Sequence, residues 1–175
     1  MSSLHSQTYS NPASCYKLPT FKGWLALSNL SESEHQIINE LHFVISSNMD
    51  SVNMLSEKIY EECLFNKIDK DFSAHLRLAL VEALNNVVEH AFQGEMNNEI
   101  DVYITFFYKK IRIRITDTGY PNHHGVKPVE QNFDLEDIMS VPEGGYGLHI
   151  MHQLMDEVNY YRKNNVNFLI LEKHF

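Results

Sequence analysis

Two neighbouring segments alternate between apolar and polar residues with a period of two, and this pattern constrains the fold more than any other feature. Between residues 100 and 106, Ile, Val, Ile and Phe occupy the even positions. Between residues 111 and 115, isoleucine occupies every odd position and arginine every even one. Successive side chains of a strand point to opposite faces, so the pattern predicts a hairpin with one buried face and one wetter face.

Other segments of the chain predict three helices and three further strands. Before the hairpin we expect a strand over 41–45, a helix from a cap at Asp50 or Ser51 to about Glu62, and a helix from a cap at Asp71 or Ser73 to about Phe92. After the hairpin we expect a helix from near Gly147 to about Met155, then strands over 156–162 and 166–173. This order indicates an α/β fold, a two-layer sandwich in which helices cover one face of a mixed, mainly antiparallel sheet.

Length, charge and cysteine content narrow the class of protein. The 175 residues fit one domain, which we place at 36–175, and the polar segment 1–35 predicts an N-terminal arm. The formal net charge of −9 disfavours nucleic-acid phosphate and anionic lipid, so we expect no direct nucleic-acid partner and no membrane partner. The only cysteines, Cys15 and Cys63, lack a CxxC spacing, which fits a protein of the reducing cytoplasm.

The second predicted helix carries a polar strip that could bind a cation. Glu82, Asn86 and His90 recur every four residues and therefore lie along one side of a helix. Asn85 and Asn86 stand in mid-helix, where asparagine is a poor helix former. A carboxylate one turn from an amide oxygen could hold Mg²⁺ and orient an attacking hydroxyl, although an ordinary solvated helix face gives the same periodicity.

Two glycine-containing motifs follow predicted strands or precede a helix. Asp117 and Gly119 end the hairpin, where an aspartate could accept a hydrogen bond from an exocyclic amine and the glycine could lie against a flat ring. Gly144, Gly145 and Gly147 lead into the third helix, where free N–H groups favour a bound phosphate. Taken singly, the first motif also fits an ordinary turn, and the second fits a hinge.

Together the motifs resemble the GHKL ATPase superfamily, and in particular the small anti-sigma-factor serine/threonine kinases of bacteria. The resemblance rests on EALNNVVEHA at 82–91, DTG at 117–119 and EGGYGL at 143–148, which occur in the superfamily's order. It covers about residues 40–175 and implies a Bergerat-type ATP-binding fold with ATP and Mg²⁺ as cofactors.

The resemblance also implies roles for individual residues. Glu82 is the expected general base, Asn86 the expected Mg²⁺ ligand, and Asp117 the expected partner of the adenine amine, with Gly119 beside the ring. The other nucleotide-binding residues that it implies are Asn85, His90, Gly144, Gly145, Tyr146, Gly147 and Leu148.

The function implied is phosphorylation of an anti-sigma antagonist protein on Ser or Thr, and control of a sigma factor by a homodimeric protein. The alternative is an ATP-binding module that regulates a partner without phosphorylating it. A sensor histidine kinase ranks lowest, because no phosphoacceptor pattern surrounds His35 or His42. The chain departs from the family at 164–167, where Asn-Asn-Val-Asn replaces the usual Gly-Thr or Thr-Thr. We expect the corresponding adenine-pocket contact to be missing or to be made by Asn167.

Overall fold

The computed structural model describes residues 37–122 and 146–175, and its helices and strands follow the predicted order. The elements are β1 (Ile37–Ser46), α1 (Met49–Phe65), α2 (Lys70–Asn86), a π-helical turn (Val87–Ala91), β2 (Glu99–Phe107), β3 (Lys110–Asp117), α3 (Tyr146–Leu154), β4 (Glu157–Lys163) and β5 (Val166–His174). The predicted arm and its boundary at residue 35 lie outside the described residues and stay predictions.

The five strands form one sheet in the order β1-β2-β3-β5-β4. All four strand pairings are antiparallel, so the predicted hairpin is confirmed as β2 and β3. The predicted α/β fold is confirmed, and the part of the chain that the structure describes contains no parallel pairing. The β3–β5 register places Asp117 directly opposite Asn167.

The core lies between one face of the sheet and the three helices. Ile111, Ile113 and Ile115 are fully buried on that face, as their alternation with the partly exposed arginines predicts. Burial of each such side chain contributes about 1.5–3 kcal/mol. Helix α2 lies between α1 and α3 and buries its apolar side. The buried residues of α2 and its π-helical turn are Ser73, Leu76, Ala79, Leu80, Ala83, Leu84, Val87, Val88 and Ala91.

Helix α1 begins earlier and ends later than predicted. Its cap is Asn48, whose Oδ1 accepts a hydrogen bond from the Ser51 N–H at 2.8 Å. The predicted caps Asp50 and Ser51 are wrong, because the backbone is already helical at Met49. No helix among the described residues is long and apolar enough to cross a bilayer.

Helix α2 is capped by Asp69, whose Oδ1 accepts a hydrogen bond from the Phe72 N–H at 2.9 Å. The predicted caps Asp71 and Ser73 are wrong because both residues already have helical backbone. Asn, Asp and Ser are all favoured caps, so sequences rich in them leave the first helical residue ambiguous.

A π-helical turn forms the last turn of the helix that we predicted to run to about Phe92, and it ends at Ala91. Regular α-helix ends at Asn86, and the Phe92 N–H then donates to the Val87 carbonyl, five residues earlier, at 3.0 Å. The wider turn changes the direction in which His90 and Ala91 point relative to α2. Single π turns within helices are rare and occur frequently at functional sites.

Candidate functional site

A cavity open to solvent lies between α2 with its π-helical turn, the segment after β3, helix α3 and the sheet. Most of its walls are apolar and a few polar groups converge on it, as in typical small-molecule sites. Four predicted site residues, Asn86, His90, Asp117 and Leu148, line the cavity. The other lining residues are Ala83, Val87, Ala91, Tyr120, Pro121, Asn122, Met151, Tyr160, Asn167 and Leu169.

Asp117 stands at the end of β3 with its carboxylate buried. Oδ1 accepts hydrogen bonds from the Gly119 N–H at 2.9 Å and from Asn167 Nδ2 at 2.7 Å. Among the described residues no group donates to Oδ2. Burial raises the pKa of Asp117 above its ordinary value, against the opposing effects of these two hydrogen bonds and of the Arg162 charge. Among the described residues, the chain thus satisfies one oxygen and leaves the other as an acceptor for a ligand.

Asn167 joins Asp117 to a network that the sequence did not reveal. Its side chain is buried, and its Oδ1 accepts hydrogen bonds from the Tyr160 hydroxyl at 2.9 Å and from Arg162 at 2.6 Å. The Tyr160 hydroxyl accepts in turn from the Asn122 N–H at 2.8 Å. We expected the contact at 164–167 to be missing or to be made by Asn167, and the structure has Asn167 in contact with Asp117. The sequence did not predict that Tyr160 and Arg162 belong to this network.

Gly119 lies directly against the π-helical turn. A Cβ built on Gly119 would lie 2.4 Å from the Ala91 carbonyl oxygen, far inside normal contact distance. The same carbonyl accepts a hydrogen bond from the Tyr120 N–H at 2.8 Å. The backbone at 119 thus approaches the backbone at 91 so closely that only glycine fits, which is a reason for glycine here that the sequence did not indicate.

Glu82, Asn86 and Gly147 meet where α2 contacts the first turn of α3. A Cβ on Gly147 would lie 2.8 Å from Glu82 Oε2 and 3.6 Å from both amide atoms of Asn86. Three residues that the sequence assigned to one site are therefore neighbours. Burial raises the pKa of Glu82 above its ordinary value, and the nearby charge of Glu89 raises it further.

The two adjacent asparagines hold buried polar atoms without partners. Asn85 Oδ1 and Asn86 Nδ2 are buried, and neither has a hydrogen-bond partner among the described residues. A buried polar atom left unpaired costs about 1–3 kcal/mol, so a polar ligand at this place would stabilise the protein. Asn85 is not among the residues that line the cavity.

The donor set around Asn86 fits a hard cation held mainly by a ligand. The Asn86 amide makes no hydrogen bond to a described side chain or backbone group, so its oxygen is available to a metal. The described residues include no group of three His, Cys, Asp or Glu side chains placed to hold a metal. Mg²⁺ commonly takes one or two protein oxygens and completes its shell with phosphate and water, which suits this arrangement.

The predicted phosphate-binding segment lies partly within the described residues. Gly144 and Gly145 lie outside the described residues, whereas α3 begins at Tyr146 and contains Gly147 and Leu148. The role predicted for each site residue, from Glu82 to Leu148, stays a prediction.

A helix-covered antiparallel sheet, with a cavity between the motif-bearing helix and the turn after β3, defines the class of the protein. Residues 45–173 match the model of the histidine kinase-like ATPase domain. Because the match spans most of the chain, this protein belongs to that family, and the family that the three motifs predicted is confirmed.

Curated relatives in this family are named serine-protein kinase RsbW. The relative from Listeria monocytogenes is 33% identical over 100 residues, which cover 54% of this chain and 62% of the relative. The relative from Staphylococcus aureus is 35% identical over 97 residues, which cover 51% of this chain and 58% of the relative. The chain thus spans about three fifths of the length of these relatives.

Two solved structures share the fold. The RsbU and RsbW domains of a Mycobacterium tuberculosis protein superpose with a TM-score of 0.55 at 15% identity, covering 77% of this chain and 32% of that one. A chain of the SiaB-SiaC complex from Pseudomonas aeruginosa superposes with a TM-score of 0.56 at 12% identity, covering 82% of this chain and 91% of that one.

Proposed function

We propose that this protein is an ATP-dependent serine/threonine protein kinase of the anti-sigma-factor type. It binds Mg-ATP in the cavity, phosphorylates an anti-sigma antagonist protein and thereby regulates a sigma factor, acting in the cytoplasm as a homodimer. The observation that carries the proposal is the meeting of Glu82 and Gly147 with Asn86, which lines the same cavity as Asp117. The names of the RsbW relatives support the same activity.

The adenine would bind beside Asp117. Oδ2 accepts the hydrogen bond of the exocyclic amine, because Oδ1 is already occupied by two donors from the chain. Leu148, Met151 and Leu169 supply apolar surface for the base, since all three line the cavity. Gly119 keeps the turn after β3 close to the π-helical turn and so shapes this part of the pocket.

The phosphates would lie toward Asn86 and the first turn of α3. Asn86 would hold Mg²⁺ through its amide oxygen, and the bound cation neutralises phosphate charge. The N–H groups at the start of α3 and before it, at Gly144, Gly145, Tyr146 and Gly147, would donate to phosphate oxygens, as helix N-termini commonly do. Asn85 and His90 complete the polar surroundings of the triphosphate.

Glu82 would act as the general base. It takes the proton of the acceptor Ser or Thr hydroxyl as that oxygen forms a bond to the γ-phosphorus, and the bond from phosphorus to the bridging oxygen breaks to release ADP. Such a base contributes about 10²–10⁴-fold to the rate. The raised pKa of Glu82 favours this role, because a base works best when its pKa approaches the working pH.

The test is transfer of labelled γ-phosphate from ATP to purified antagonist proteins carrying candidate Ser or Thr acceptors. We expect one antagonist to be labelled in a Mg²⁺-dependent reaction, and the labelled site to be Ser or Thr. Binding of Mg-ATP without transfer to any candidate would contradict the kinase and favour the non-phosphorylating regulatory module. Pull-down of a sigma factor and light scattering of the free protein test the sigma-factor partner and the homodimer separately.

A further inference from the structure

The side-chain amide of Asn167 can take only one orientation. Its nitrogen lies 2.7 Å from Asp117 Oδ1 and 3.3 Å from the Gly119 carbonyl oxygen, and both of these atoms are acceptors. Its oxygen lies 2.6 Å from an Arg162 nitrogen, which can only donate. Rotating the amide by half a turn would set oxygen against oxygen and nitrogen against nitrogen, so the arrangement fixes the NH₂ group toward Asp117.

The hydrogen bonds around Asn167 therefore run in one direction, and the shortest that it donates, at 2.7 Å, goes to Asp117. Its nitrogen also donates to the carbonyl oxygens of Gly119 and Tyr120 at 3.3 and 3.2 Å. The Tyr160 hydroxyl accepts from the Asn122 N–H, which leaves its own proton to be donated to Asn167 Oδ1. Asn167 then donates to Asp117 Oδ1, as does the Gly119 N–H. Two donors hold the carboxylate in one rotamer and leave Oδ2 as an acceptor.

We propose that Asn167 is a positioning residue that sets base specificity, because it holds Asp117 as a pure acceptor facing the cavity. This inference rests on the proposed binding of a nucleotide. A purine with an amine at its six-position then donates a hydrogen bond to Oδ2. A purine with a carbonyl at that position places its oxygen against Oδ2, and two acceptors repel each other. Without Asn167 the carboxyl group is free to turn or to take a proton, and a carbonyl-bearing base is no longer rejected.

The test compares the dissociation constants of Mg-ATP and Mg-ITP for the full-length protein and for Asn167→Ala, by calorimetry. ITP differs from ATP in carrying a carbonyl where adenine carries the amine. We expect the wild-type protein to prefer ATP, and the ratio of the two dissociation constants to fall about tenfold or more in the variant, in line with the loss of a hydrogen bond to a charged group. A simple loss of packing would weaken both ligands equally and leave the ratio unchanged.

A second variant keeps the test decisive if Asn167→Ala does not fold. Tyr160→Phe removes one hydroxyl from the same network, so the ratio should fall in the same direction by a smaller factor. Tyr161→Phe is the matched control, because Tyr161 is exposed and stacks on Phe168. Adjacent side chains of a strand face opposite sides of the sheet, so Tyr161→Phe should leave the ratio at the wild-type value.

The outcomes separate this inference from the proposed function. If the wild-type protein binds Mg-ATP and the ratio in every folded variant stays within twofold of the wild-type ratio, the role of Asn167 is wrong and nucleotide binding stands. If the wild-type protein binds neither nucleotide, both are wrong. A ratio that falls equally in Tyr161→Phe would also contradict the role of Asn167.

Discussion

The two ends of the candidate site differ in how far the described part of the chain satisfies their polar groups. The Asp117 end comprises Asp117, Tyr160, Arg162 and Asn167. The Asn86 end comprises Glu82, Asn85, Asn86 and Gly147. At the Asp117 end, side chains from three strands are joined by hydrogen bonds of 2.6–2.9 Å. At the Asn86 end, two buried amide atoms have no partner among the described residues.

This difference indicates that the Asp117 end is formed before a ligand binds, and that a ligand completes the Asn86 end. The hydrogen bonds of the Asp117 end fix its geometry before anything binds, which lowers the cost of recognising one base. The Asn86 end carries an unpaired amide pair and a carboxylate whose pKa is raised by burial. Groups of this kind are destabilising on their own and are typical of functional sites.

Replacement of Glu82 by Gln should have the largest effect on activity. The amide keeps the shape of the side chain but cannot take a proton, so phosphoryl transfer should fall about 10²–10⁴-fold while Mg-ATP affinity changes little. Transfer of labelled phosphate and calorimetry measure the two quantities. Glu61→Gln, at an exposed carboxylate of α1, is the control and should transfer normally. Transfer that persists in Glu82→Gln would remove Glu82 from the role of base.

Replacement of Asn86 by Ala should weaken Mg-ATP binding by at least about tenfold, since losses of this size are usual when a metal site is disturbed. In EDTA the variant and the wild type should bind ATP equally, because the lost oxygen acts through the cation. Asn53→Ala, at an exposed position of α1, should leave affinity unchanged in both buffers. An Mg²⁺-independent loss would mean that Asn86 contacts the nucleotide and not the metal.

Replacement of Gly119 by Ala tests the support of the Asp117 end. Its Cβ would lie 2.4 Å from a backbone oxygen of Ala91, which cannot move aside as a side chain can. We expect the free energy of unfolding to fall by about 1–3 kcal/mol, the usual cost of overpacking, with a lower melting temperature. Adding Ala91→Gly should restore little of it, because the main clash is with the backbone. Wild-type stability of Gly119→Ala would show that the turn can shift freely.

Replacement of Gly147 by Ala should have a smaller and different effect at the Asn86 end. Its Cβ would meet Glu82 Oε2, the far end of a flexible side chain, so the carboxylate moves and the fold survives. We expect transfer to fall about tenfold, as misplaced catalytic groups commonly cost 10²-fold or less, with the melting temperature preserved. Gln153→Ala, on the exposed side of the same helix, is the control for both measurements.

The smallest expected effect is that of Glu82→Gln on the melting temperature. Burial, followed by the charge of Glu89, raises the pKa of Glu82, so the charged form is less stable in the folded chain than in the unfolded one. Glu82→Gln should therefore raise the melting temperature slightly at pH 7. The gain should shrink as the pH falls through the raised pKa and vanish below the ordinary value of 4.5, where the carboxyl is protonated in both states. A gain that is independent of pH would rule out this electrostatic cause.

The sequence predicted the strands of the sheet and the residues of the site. It did not predict the π-helical turn or the pairing of Asp117 with Asn167. The period-two alternation identified β2 and β3 because their side chains alternate between a buried and a wetter face. The π-helical turn was not predicted. It differs from an α-helical turn by one extra residue, and no amino-acid type in this segment marks that difference. The pairing of Asp117 with Asn167 depends on the β3–β5 register, which a single sequence does not specify.

Two residues of the Asp117 end could not be identified from the sequence. Tyr160 and Arg162 lie on edge strand β4, where aromatic and charged residues are common for many reasons. Asn167 could be identified because it lies where the family usually carries Gly-Thr or Thr-Thr. Its partners could not, because they contact it only where the folded sheet places β4 and β5 beside the turn after β3.

A crystal structure with Mg²⁺ and a non-hydrolysable ATP analogue would test most directly whether one nucleotide contacts both ends of the candidate site. We predict the six-amine of the base at Asp117 Oδ2 and the cation on the Asn86 amide oxygen, with no change in the hydrogen bonds between Asn167, Tyr160 and Arg162. A nucleotide bound elsewhere on the protein, or a cation held without Asn86, would contradict this.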